Sequence, residues 1–231
     1  AYMHALTQCN LADVHRHLGN LDLARAYAQA GLQEFESQQA GFGQALAHFN
    51  LGQILLQEGK PRLARQEHLE LARQKLIGGE VRDLLSGVEH SLGEAWLVEG
   101  HLADAQMAAV RAKRVAKRVD SQIRWARGQR LLGRVHAARG DRDQALQALR
   151  QSLQMFEQAG SRYETAKAYL ELAQVYAKAP GTLEEAHAAL AAARETLTEL
   201  GAAWEMSKAE ALEREWLDMP PENGGDGTER G

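Results

Sequence analysis

Residues 91–112 read SLGEAWLVEGHLADAQMAAVRA. Leu92, Gly93, Ala95 and Trp96 place apolar and small residues on one helical face, Gly100-His101 interrupts the pattern, and Leu102, Ala105, Ala108, Ala109 and Ala112 resume it. The stretch is two amphipathic helices joined at a glycine turn. Four other stretches align with it: NLADVHRHLGNLDLARAYAQAGL from Asn10, NLGQILLQEGKPRLARQEHLELA from Asn50, LLGRVHAARGDRDQALQALRQSL from Leu131, and ELAQVYAKAPGTLEEAHAALAAA from Glu171. Each has Leu-Gly, Leu-Ala or their equivalent near its start. In the first four copies a turn glycine follows the small residue by seven positions, and an alanine follows five further on. Those alanines and their fifth counterpart are Ala24, Ala64, Ala105, Ala145 and Ala186, spaced 40, 41, 40 and 41 residues apart. Such regular spacing marks an internal repeat and governs the reading of the whole chain.

Each period holds two helices of about 17 residues, so the chain reads as all-α, with ten helices in five antiparallel pairs. Polar turns fall at Gly19-Asn20, Gly59-Lys60-Pro61, Gly100-His101, Gly140-Asp141 and Ala179-Pro180-Gly181. Pro61 suits the first position of a helix, where its missing N–H costs nothing. Gly41, Gly78-Gly79, Asp120, Gly160 and Gly201 separate the periods and suit helix C-termini. Ala12, Gly52, Gly93, Gly133 and Ala173 occupy one matched position, where a small side chain lets two helices approach closely. After Gly201, the spacing of Trp204, Ala209, Leu212 and Trp216 predicts a capping helix over 202–219. The Pro- and Gly-rich 220–231 is expected to be a flexible tail.

The pattern of Leu-Gly, an aromatic-type site three residues later (His15, Leu55, Trp96, His136, Tyr176 after the small position), turn glycine and alanine resembles the tetratricopeptide repeat (TPR) family over residues 2–201. The family's commonest period is about 34 residues. This chain is similar to its long-period variants, such as Pins-type and kinesin light chain adaptors and the sensor arrays of bacterial signalling ATPases and transcriptional activators. The resemblance implies a right-handed α-solenoid of five helix-turn-helix repeats, over 1–40, 41–79, 80–120, 121–160 and 161–201. It implies a protein-binding scaffold whose groove is lined by the first helix of each pair.

Composition excludes several classes. The chain has 231 residues, 45% hydrophobic and 25% charged, with four prolines, and a mean hydropathy of −0.44. That is neither a disordered polyelectrolyte nor a membrane protein, and no run approaches about 18 apolar residues. The single cysteine, Cys9, excludes an internal disulfide and thiolate zinc. Ala1-Tyr2-Met3-His4 lacks the basic and apolar regions of a signal peptide, so a cytoplasmic setting is expected. The chain opens without methionine inside a helical pattern, which reads as a segment of a longer protein. No catalytic constellation, phosphate loop or His-Glu-x-x-His is present. His15 and His17 project about 200° apart on a helix, and His90 with Glu94 lacks a third ligand, so neither metal nor cofactor is expected and the chain is not read as an enzyme.

The resemblance carries groove points over residue by residue. Immediately before the Leu-Gly pair stand Asn10 and Asn50, at the point where an asparagine clamps a peptide backbone in long-helix adaptors. Two after the leucine come Asp13, Gln53, Glu94, Arg134 and Gln174, and two before it His90 and Arg130 among others. Arg127, Arg130 and Arg134 fall at i, i+3 and i+7 on one face, a row suited to bidentate capture of carboxylate or phosphate and also the pattern of a solvated basic face. Eleven basic residues against two acids between Arg111 and Arg142 give a local net of +9, against −4 for the whole chain. This favours an acidic protein or peptide partner. A pI of about 6.2 and Trp125 as the lone interleaved aromatic argue against nucleic acid. The alternative is a regulatory domain, sensing a ligand or signal peptide within a larger bacterial signalling or transcription-regulating protein. No cap precedes the first repeat, so a homodimer through that face is a further expectation.

Overall fold

In each hairpin, small residues set how near the two helices come. A Cβ placed on Gly52 would lie 2.5 Å from Leu69 Cδ2, and one on Gly93 would lie 2.5 Å from Leu131 Cδ2 and 3.2 Å from Ala108 Cβ. On Gly133 it would stand 2.7 Å from Leu149 Cγ and 3.3 Å from the Ala145 carbonyl oxygen. The opposing alanines, Ala64, Ala105 and Ala145, are fully buried. Both helices of a hairpin therefore surrender side-chain volume at the same level, and dispersion contacts between their backbones replace it.

The computed structural model describes residues 1–77, 83–179 and 181–217. Its helices are α1 (Tyr2–His17), α2 (Leu21–Ser37), α3 (Gly41–Gln57), α4 (Pro61–Leu63 continuing through Ala64–Leu69 and Glu70–Leu76), α5 (Asp83–Val98), α6 (Leu102–Arg118), α7 (Gln122–Arg139), α8 (Arg142–Gln158), α9 (Arg162–Ala177), α10 (Leu183–Leu200) and α11 (Ala203–Leu217). No strand occurs among the described residues. None of the described helices is long and apolar enough to cross a membrane. The expected Gly78-Gly79 junction, Pro180 in the fifth turn, the last residues of the expected cap and the tail 220–231 lie outside the described residues.

Consecutive helices pack as hairpins, α1 on α2 through α9 on α10. First helices also pack on one another at every step, α1 on α3, α3 on α5, α5 on α7, α7 on α9 and α9 on α11, while among the described residues second helices show no comparable packing on one another. The layer of first helices is thus the more closely spaced and forms the inside of the curve. Its curvature is strong enough to bring His17 on α1 against Tyr163 on α9, with ring centroids 5.5 Å apart.

The turns follow from local chemistry. Gly100 and Gly140 take φ of +81° and +84°, the left-handed conformation that closes a helix and that a Cβ would strain. Pro61 begins α4 as its spacing indicated. Gly41 differs from expectation. It is the first residue of α3, and the left-handed position before it belongs to Gln39, at φ +52°. Second helices are also tied to the following first helix by one recurring ion pair, Arg25 with Glu58 and Arg65 with Glu99.

The middle of α4, Ala64–Leu69, is π-helical. This stretch carries His68, whose Nδ1 lies 3.0 Å from Nδ1 of His48 on α3, so one imidazole donates to the other. Burial, then His68 and Lys75, lower the His48 pKa to about 4. Burial and Arg25 lower that of His68, against an opposing pull from Glu67.

Two outcomes follow from this packing. Replacing Gly93 with leucine is expected to lower the unfolding free energy by about 3 kcal/mol through overpacking; urea unfolding measures it, and an unchanged midpoint would contradict the close approach. For the histidine pair, the folded pKa values lie below the unfolded value of about 6.5. Its contribution is therefore complete above that value and is lost as pH falls through it towards about 4. His48→Gln should flatten the stability–pH curve over that interval, and a slope equal to wild type would count against it.

Candidate functional site

The inner layer gathers ionisable side chains from three neighbouring first helices. Arg127, Arg130 and Arg134 stand on one face of α7, as their spacing required. Arg130 is 1% exposed, and its Nη1 donates to Glu164 Oε2 on α9 at 2.7 Å. Arg127 Nη2 meets the other oxygen of the same carboxylate at 2.7 Å. On the opposite side, Arg134 Nη1 donates to Glu94 Oε1 on α5 at 2.8 Å. Glu171 on α9 lies 3.6 Å from Arg130 Nε and 3.8 Å from Arg134 Nε, and His90 Nδ1 lies 3.6 Å from Glu94 Oε2.

The electrostatics follow from burial and pairing in competition. Burial acts to raise the Glu164 and Glu94 carboxyls, and cationic neighbours overcome it. Arg130, Lys167 and Arg127 hold Glu164 well below the usual carboxylate range, while His90, Arg134 and Lys167 do so for Glu94. At Glu171 burial prevails over Arg130 and Arg134, so its carboxyl is pushed up. Burial lowers the Lys167 amine, and it brings His90 to about 4, a neutral ring at pH 7. For Arg130, burial opposes the charge while Glu164, Glu171 and Glu94 favour it, and the net direction is upward. Beside this cluster Tyr163 donates to Glu205 of α11 at 2.7 Å.

The structure brings His90, Glu94, Arg127, Arg130 and Arg134 together and places the remaining candidates elsewhere. A free arginine row was expected; the guanidiniums are instead engaged by carboxylates of the same chain, because α5 and α9 flank α7 in the inner layer. Asn50 was expected to clamp a peptide. It is buried, and its amide donates to the Cys9 carbonyl oxygen on α1 at 2.8 Å, so it joins two first helices instead. Asn10, its counterpart, has no earlier helix to reach among the described residues and is exposed. Asp13 accepts from Arg16 at 2.7 Å, Gln53 is half-buried, and Gln174 is exposed. Burial pushes the Cys9 thiol up to about 11, which makes it a poor nucleophile.

Sequence reasoning missed Glu164, Lys167 and Glu171 as members of the cluster. One signal was available. Glu94 and Arg134 share a column of the repeat alignment with opposite charge, and equivalent positions on adjacent first helices stand side by side. The described residues contain no group of three His, Cys, Asp or Glu side chains able to hold a metal. The arrangement gathers charged donors and acceptors from α5, α7 and α9 in one place.

No protein-family model and no curated protein matches the sequence. Solved structures do match in fold. A thermophilic TPR protein of Thermus thermophilus aligns over 90% of this chain and 98% of its own, with 24% identity and a TM-score of 0.66. A Rap protein complexed with competence and sporulation factor aligns over 94% of this chain and 63% of its own, with 15% identity and a TM-score of 0.68. TPR-like repeats of a P. anserina putative kinesin light chain align over 87% and 98%, with 17% identity and a TM-score of 0.59. The architecture is a TPR-like helical repeat, all-α throughout the described residues.

The cluster predicts a specific mutational pattern. Arg130→Met removes the directly hydrogen-bonded cation from Glu164 in a buried site, leaving Arg127 and Lys167, and is expected to cost about 3 kcal/mol. The double variant Arg130→Met/Glu164→Met should lose clearly less than the two single losses added together. Chemical unfolding of the three variants measures this, and additive losses would show that the two side chains are not coupled.

Proposed function

We propose that the chain is a non-catalytic scaffold whose inner layer binds an acidic segment of a partner protein. The observation that carries this reading is the vertical order of charge on α7 and its neighbours. The Arg127 side chain is 43% exposed above Glu164 at 4%, and Arg134, 29% exposed, stands above Glu171 at 14% and level with Glu94 at 27%. An approaching segment therefore meets guanidinium edges first. The carboxylates below fix their orientation, so less rotamer freedom is lost when a ligand carboxylate arrives. Polar side chains at Asp13, Gln53 and Gln174 extend the same layer as hydrogen-bonding points. The pI of about 6.2 favours a protein segment over nucleic acid. A reducing, cytoplasmic setting fits the one buried thiol.

A second reading is a regulatory domain of a larger signalling protein that senses a peptide or other ligand. Its support is the shared fold of the Rap protein solved with competence and sporulation factor. Both readings use the inner layer, and they differ in whether occupancy is transmitted to another domain.

Selection from a display library of random peptides about fifteen residues long separates this proposal from its failure. The expected result is a set enriched in Asp and Glu, whose binding weakens at least tenfold, about 1.4 kcal/mol, in Arg127→Gln/Arg134→Gln. Arg130 stays in place because it supports the fold. A basic or charge-neutral set, or equal binding by the variant with unchanged helicity, would overturn the acidic-segment reading.

A further inference from the structure

Four second helices share one register, so their outward faces compare residue by residue. Counted from the buried alanines Ala24, Ala105, Ala145 and Ala186, the positions two, five, nine, twelve and thirteen residues onward are exposed on α2, α6, α8 and α10 alike. In α4 the π-helical stretch shifts the chain out of this register. At the first two positions α6 carries Met107 and Val110, 52% and 43% exposed. The other three helices carry Ala26, Gln147 and Ala188 at the first, and Gln29, Arg150 and Ala191 at the second. At the last three positions α6 carries Arg114, Lys117 and Arg118, a charge of +3. Those positions carry −1 on α2 through Glu36, −1 on α8 through Glu157, and −2 on α10 through Glu195 and Glu199. One outward face thus reverses the sign of the others and adds two large apolar side chains.

The repeat itself does not require this. The five side chains lie within an arc of about 100° on the side of α6 away from its buried Ala105, Ala109 and Ala112. Helices α2, α8 and α10 end with no basic residue in the last turn, so the architecture closes its second helices without cations there. Among the described residues none of Arg114, Lys117 and Arg118 has an ion-pair partner. Arg111, on the flank of the same helix, is taken up by Glu89 at 2.7 Å and stands outside the set. Among the described residues α6 shows no extended packing on α4 or α8, which leaves both flanks of the ridge open.

We infer that the outward face of α6 is a docking surface for a helical segment of a partner protein, one that sets acidic residues beside a large apolar side chain. Charge complementarity calls for the acids, since three cations stand together with no carboxylate of the described residues to neutralise them. Met107 and Val110 call for the apolar anchor. A phosphate backbone would leave both in water, whereas an apolar side chain laid on them removes that surface from solvent, and methionine adapts to its shape. Helical geometry completes the match. The ridge from Met107 to Arg118 runs about 16 Å, the length of about three turns, and its residues recur at the spacing that packs one helix against another. This surface lies on the outside of the array, away from Arg127 and Arg134, and is a second contact independent of the inner layer.

A display library of helix-constrained peptides about sixteen residues long, with one face randomised, tests this on the whole 231-residue chain. The expected result is an enriched set with Asp or Glu one or two turns from a Leu, Met or Phe. Binding of that set should fall at least tenfold in Met107→Gln/Val110→Gln and again in Arg114→Gln/Lys117→Gln. Arg127→Gln/Arg134→Gln should leave it unchanged, which separates this surface from the inner layer. Both outer variants change exposed side chains only, so circular dichroism and the urea midpoint should match wild type. Single-stranded DNA of about 20 nucleotides is the polyanion probe and should bind at least tenfold more weakly than the enriched helices. DNA binding as tight as theirs, lost in the charge variant and untouched in the apolar one, would overturn the inference in favour of a polyanion surface. Selection that enriches no helix, or enriches helices whose affinity neither outer variant moves, would overturn it equally.

Discussion

Close approach of two helices at a small-residue level is the constraint from which the architecture follows. Gly52, Gly93 and Gly133 each face an alanine-lined helix at a distance that leaves no room for an added methyl without movement of a leucine. With each hairpin fixed in this way, its first helix has one face on its partner and two flanks free for the neighbouring first helices. Repetition every 40 or 41 residues stacks these flanks into a continuous inner layer. The second helices remain farther apart, and that difference in spacing is the curvature.

Curvature in turn explains why a charged row ends up buried. Arg130 points from α7 into an interior where α5 and α9 converge, and an isolated guanidinium there would be very costly to desolvate. Glu164 accepts from it and also forms an ion pair with Arg127, so one carboxylate serves two cations. Glu94 serves Arg134 from the other side. Whether such a cluster adds net stability over an apolar core is a separate matter from what it does. Its effect here is positional: it holds Arg127 and Arg134 at the solvent edge in set orientations, on helices instead of mobile loops. Glu171, pushed up by burial, is the member with least compensation.

The fold was legible because its determinants are local and repeated. Leu-Gly pairs, turn glycines and second-helix alanines each act within a few residues, and five copies reinforce one another. Helix α4 shows the limit, since nothing in its spacing marks the π-helical stretch that turns His68 towards His48. The site was half legible. The arginine row is a matter of helical period, whereas its partners lie 34 to 40 residues away and depend on how first helices sit beside one another. Asn50 illustrates the same point, for a side chain that belongs to a groove by alignment belongs to a helix contact by geometry.

The inner layer holds its arginines by carboxylates of the same chain. Carbon-detected NMR titration of the glutamate carboxyls measures this in the folded protein. Glu94 and Glu164 should remain ionised well below the ordinary glutamate value of about 4.3, while Glu171 should protonate above it. Titration of all three together near the ordinary value would contradict the pairing, and with it the oriented guanidinium surface on which the binding reading depends.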